Sequence, residues 1–180
     1  ALTDRGNMFG AVEFYLAAKA AEVKPILGCE IFYVAGSRHT KPEKKGKRLA
    51  SVGGDDEEDL RLYNLILLVK DAKGYQNLCE LITKSYSEGL YQGRPRADRE
   101  LIAAHAEGLI ATTAGLRGEL AFNFARGRPE RAEEAASWLA KTFDQKNLFL
   151  EIQENGLPEQ SAANNAVMEL ADRMGLPLVA

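Results

Sequence analysis

The sequence predicts an α/β fold. Short apolar runs bounded by turn residues alternate along the chain with segments of helical periodicity, and those runs are apolar almost throughout. Strands of that kind are buried on both faces, which points to a parallel sheet or barrel with crossover helices covering it.

In chain order, Leu2 and Thr3 read as the tail of a strand and residues 11–21 as a first helix. The apolar run 26–34 is the next strand. Between residues 36 and 59 the periodicity stops, giving way to a basic run over 41–48 (KPEKKGKR) and an acidic one over 53–59 (GGDDEED). This stretch is expected to be an exposed charged loop. Its basic run reads either as a phosphate-contacting patch or as a solvated segment whose opposite charges keep it extended, and the second reading is favoured. Strand 62–69 and helix 74–86 follow, then strand 108–113, helices 117–125 and 130–143, strand 147–152, helix 158–174 and a last run over 176–180. Pro129 and Pro158 fit the first turns of their helices, where a missing N–H leaves no bond unmade. Strand patterns at both ends lead to the expectation that the chain is a fragment cut inside structural elements, since domain boundaries more often fall in polar linkers.

With 180 residues, 46% of them hydrophobic, the chain suits one domain over 1–180. The formal charge of -3 carries no basic excess, so any contact with DNA must be local. Cys29 and Cys79 lie in apolar stretches without CxxC spacing, which predicts buried free thiols in a reducing, cytoplasmic setting. No run approaches the roughly 20 apolar residues that span a bilayer, and no basic-then-apolar leader opens the chain.

Residues 2–15 (LTDRGNMFGAVEFY) resemble the second motif of polymerase-type PHP (polymerase and histidinol phosphatase) domains, usually L-T-D-H-G-N-M-F-G followed by a helix. The likeness continues through KPILGCEIFYVA (24–35), YNLILLVKDAKGYQNL (63–78), EGLIATTAGLRGEL (107–120), LFLEIQENGLPEQ (148–160) and LADRMGLPLVA (170–180). It points to the PHP domain of bacterial DNA polymerase III alpha subunits more than to histidinol phosphatases. What the resemblance implies is a distorted (β/α)7 barrel, here incomplete at both ends, whose strand ends gather up to three metal ions in active members. Such ions polarise a phosphoryl oxygen and supply a hydroxide near neutral pH.

The matched ligand positions depart from that pattern. The motif histidine is Arg5, a permanent cation without a lone pair. A histidine of the third strand is Asn64, the cysteine of an S-G-C-L turn is Gly115, and the histidine of an L-E-I-Q-x-H-G stretch is Asn155. Asp4 and Glu30 remain as the matching carboxylates. The expectation is therefore a vestigial site over Asp4, Arg5, Glu30, Asn64, Gly115 and Asn155, with no catalytic residue and no metal, in which Asp4, Arg5 and Glu30 form an ion pair in place of the ions. Glu151 reads equally as an acid behind the site or as a strand-end hydrogen-bonding group. His39 in the charged loop and His105 at the end of a short helical segment match no ligand position and read as solvated or capping. Trp138 reads as a helix face packed on the barrel.

The resemblance implies a segment of a replicative DNA polymerase that serves as a structural and interaction module. Its partners would be the remainder of the alpha subunit, a proofreading exonuclease subunit, and DNA through the parent protein. The contrasting expectation is a metal-dependent phosphoesterase or 3′–5′ exonuclease holding Zn or Mn.

Overall fold

In a computed structural model, residues 1–41 and 60–180 are described, so most of the charged loop expected over 36–59, with its basic and acidic runs, lies outside the described residues. Strand β1 (Leu2–Arg5) feeds helix α1 (Ala11–Ala20) and returns parallel as β2 (Leu27–Val34), with Arg5 opposite Glu30. Strand β3 (Tyr63–Val69) lies on the other edge of β2, antiparallel, with Phe32 opposite Asn64. Helix α2 (Ala72–Ser87) leads to a three-residue strand β4 (Arg96–Asp98) and helix α3 (Arg99–Ala104). Strand β5 (Leu109–Thr112) then pairs antiparallel with β3. Helices α4 (Glu119–Ala125) and α5 (Pro129–Phe143) precede β6 (Leu148–Glu151), and α6 (Pro158–Met174) precedes β7 (Leu178–Val179). The result is a mixed seven-stranded sheet in the order β1-β2-β3-β5-β6-β7, with β4 paired to β2.

The expected all-parallel arrangement is corrected at β3, which opposes both its neighbours. The sequence between β2 and β3 carries no helical periodicity, and a parallel return would need a crossover that an antiparallel one does not. β4 escaped the pattern reading because Arg-Ala-Asp has no apolar alternation. It continues the edge of β2 that β1 occupies, pairing with Phe32 to Val34 beyond the end of β1.

The core lies between the sheet and its helices. Leu65 and Leu67 of β3 and Leu148 and Leu150 of β6 are buried with Leu78 and Leu81 of α2 and Leu139 of α5. Helix α2 starts on an Asp71 carboxylate that accepts the Gly74 N–H at 2.9 Å. A Cβ on Gly74 would sit 1.8 Å from the Gly108 carbonyl oxygen, so only glycine lets the helix start approach β5 so closely. Both cysteines are free, but only Cys29 is buried, since Cys79 is partly exposed on α2. Among the described residues no helix is long and apolar enough to cross a membrane.

Candidate functional site

Side chains on a strand alternate between faces, so Asp4 and Arg5 must diverge, while Arg5 and its register partner Glu30 can meet. They do. Arg5 Nε stands 3.2 Å from Glu30 Oε2, with the guanidinium 5.4 Å from the Phe32 ring centre. The other carboxylate oxygen accepts from Asn64 Nδ2, and Arg117 Nη1 lies 3.9 Å from it. Glu30 is mostly buried and Arg5 about half exposed, their side chains being 15% and 46% accessible.

Asp4 does not join that pair. Its carboxylate accepts the Gly10 N–H at 2.9 Å, at the start of α1, where the helix dipole favours an anion. The ion pair expected of three residues is thus made by two, and the third fastens the first helix.

Gly115 opens a short 3-10 turn (Gly115–Arg117) with φ of +52°, and a Cβ there would meet the Gln153 side chain at 2.7 Å. Gln153 organises this end of the site. Its Nε2 donates to Glu151 Oε1 at 2.6 Å, and its Oε1 accepts from Asn155 Nδ2 at 3.4 Å. Glu151 also accepts from Thr112 Oγ1 at 2.5 Å and from the Ala114 N–H at 3.2 Å, which ties the end of β5 to β6. Glu30, Gln153, Asn155 and Arg117 share the walls of a cleft of about 340 Å³, so the structure gathers Glu30, the Gly115 turn and Asn155 around one space with Asn64 bonded at its side. A larger cleft of about 700 Å³ adjoins it through Leu116 and Arg117 and holds Arg5 and Asn64 in its wall.

The histidines stand apart from these clefts. His39 is exposed beyond β2. His105 ends α3 and is buried, its Nδ1 2.9 Å from the Leu101 carbonyl and its Nε2 3.2 Å from Lys84 Nζ, so it is held by hydrogen bonds and not solvated. Trp138 packs 6.1 Å from the Tyr33 ring under the Arg99 guanidinium.

Sequence reasoning missed Gln153, Arg117 and a buried network in which Glu119 accepts from Tyr33 Oη at 2.8 Å and from Arg99 Nη2 at 3.0 Å. Burial pushes the Glu119 carboxyl above its ordinary range, against the pull of Arg99 and of the Tyr33 hydrogen bond, and burial likewise raises Tyr33. Gln153 lies inside the motif stretch 148–160, which was the one available signal for it.

A mixed α/β sheet with strand-end residues converging on a cleft defines the class, and residues 1–155 match the PHP domain family, to which the chain belongs. It is 41% identical over 179 residues, 99% of its length, to the DNA polymerase III subunit alpha of Treponema pallidum. To the protein of the same name from Thermus aquaticus it is 42% identical over 180 residues. In each case the chain spans about 14% of the relative's length.

Proposed function

We propose that this chain is the PHP segment of a bacterial replicative DNA polymerase III alpha subunit, a single domain over 1–180 built as a distorted (β/α)7 barrel, and that the segment braces the polymerase without hydrolysing phosphoesters itself. DNA-directed DNA synthesis belongs to the parent protein. The Arg5 to Glu30 ion pair carries this reading. At the matched positions the groups present do not fit a metal cluster: Arg5 and Asn64 both offer N–H donors to Glu30, the guanidinium has no lone pair, and an amide oxygen is a poor ligand for a borderline cation. Gly115 brings no thiolate, and the Asn155 amide is turned to Gln153. A guanidinium beside the carboxylate balances its charge as a cation would.

An interaction role is supported by apolar surface concentrated near the first helix, where Phe9, Val12 and Leu16 are 87%, 65% and 62% exposed. The partners we assign are the remainder of the alpha subunit and the proofreading exonuclease subunit, in the bacterial cytoplasm. Elemental analysis of protein purified without chelators, then titrated with zinc and manganese, tests the reading. Less than a few tenths of an ion per chain is expected. Two or more tightly held ions overturn it in favour of a metal-dependent phosphoesterase or 3′–5′ exonuclease.

A further inference from the structure

We propose that the larger cleft beside the Arg5 to Glu30 pair is a metal-independent site for the terminal phosphate of a nucleotide, either free or at the end of a single strand. This goes beyond the bracing role and does not depend on it. The cleft measures about 700 Å³, and its wall holds four arginines, Arg5, Arg61, Arg94 and Arg117, with no carboxylate. That is a concentrated cationic site in a chain whose overall charge is -3. Its volume suits a small ligand better than a protein surface.

Three of the four, Arg5, Arg61 and Arg94, are held by aromatic rings, and of these Arg5 alone also meets an acid, Glu30. Arg61 lies 3.5 Å from the Phe122 ring centre, with Arg126 5.0 Å from the same ring, and Arg94 lies 4.9 Å from the Phe32 ring that also carries Arg5. Stacking fixes a guanidinium plane without using an N–H, so the planar forks remain available for oxygen atoms. Arg61 Nε is buried with no hydrogen-bond partner, and among the described residues neither Arg61 nor Arg94 meets a carboxylate. Burial lowers the Arg61 pKa from its ordinary value, and Arg126 lowers it further, while only Tyr63 acts the other way. Several cations with one shared acid repel one another, and a dianion relieves that repulsion. A phosphate monoester brings a charge of about -1.5 to -2 and three acceptor oxygens, more than one carboxylate offers to several forks.

The 180-residue chain is titrated, in EDTA, with dAMP, deoxyadenosine, a 5′-phosphorylated hexathymidylate, its unphosphorylated counterpart and a polyglutamate peptide. Binding of dAMP or of the phosphorylated strand, without binding of its dephosphorylated partner, supports the site. Which of the two binds identifies the source as free nucleotide or strand end. Arg94→Ala, at an exposed position, and Arg61→Gln should each weaken binding roughly tenfold or more with unchanged far-UV circular dichroism. If Arg61→Gln does not fold, Arg94→Ala alone decides. The proposal is overturned by no binding at millimolar ligand in EDTA, by equal binding of the unphosphorylated compounds or of polyglutamate, or by an Arg94→Ala variant that binds like the parent.

Discussion

Among the described residues Arg96 is the largest fully buried side chain, and its replacement by methionine should cost a measurable part of the fold. Its Nε donates to the Gly89 carbonyl at 3.0 Å and its Nη2 to those of Arg38 and Thr40 at 2.8 and 3.0 Å, clamping the segment after β2 to the approach of β4. Methionine keeps the apolar stem and removes every donor. Three bonds to a charged group would be worth about 1.5–3 kcal/mol each taken singly. The loss is smaller than their sum. Gly89 still receives the Arg96 backbone N–H at 3.3 Å, Thr40 is open to water, and the variant no longer desolvates a charge, the dominant effect lowering the Arg96 pKa. A net cost of about 2–4 kcal/mol follows, or a fall in Tm of roughly 5–15 °C for a domain of this size. Arg96→Lys should not rescue it, because an ammonium cannot reproduce the planar fork. Urea titration and thermal melts followed by circular dichroism measure the effect. A methionine variant within about 0.5 kcal/mol of the parent would show that the three carbonyls find water unaided and that Arg96 fastens nothing.

The raised pKa of Glu119 means that folding eases its protonation relative to the unfolded chain. The stability advantage of the parent over Glu119→Gln should therefore be full below the unfolded value near 4.5 and fall as pH rises through the folded one. Melts of both proteins from pH 4 to 7 check this, and a difference that is flat or grows with pH would contradict it. Burial pushes the Cys29 thiol up to about 12, which leaves roughly one thiolate in ten thousand at pH 8. Iodoacetamide should label Cys79 while sparing Cys29 until urea is added, as read by mass spectrometry. Asp71→Ala removes the acceptor at the start of α2 and should cost about 1 kcal/mol in the same urea titration.

Elements made of a continuous pattern were legible from the residues. The apolar run 26–34 became Leu27–Val34, and Pro158 marks the start of the sixth helix, because strand burial and first-turn proline are local effects. The direction of β3 and the burial of Arg96 were not legible, since each depends on what a distant segment presents. The candidate site divides in the same way. Each substituted position, from Arg5 to Asn155, could be read singly as the loss of an imidazole or thiolate ligand. The separation of Asp4 from Arg5 required strand alternation combined with the register of β1 on β2, and the second of these is long-range. Arg61 and Arg94 carry no motif at all, and become neighbours of Arg5 only through the rings of Phe122 and Phe32.

One edge of β2 is divided between two strands, β1 reaching Glu30 and β4 beginning at Phe32, so that Ile31 faces neither. The two flanking strands are joined to the rest of the molecule by different means. β1 is only partly buried, whereas β4 is buried throughout and anchored by Arg96 and by Asp98, which binds Arg38 at 2.8 Å. Arg5 stands on the less buried of these strands and Arg94 just before the more buried one. The cationic cleft is therefore lined from both sides of this seam, and it joins the two strands that divide one edge of β2.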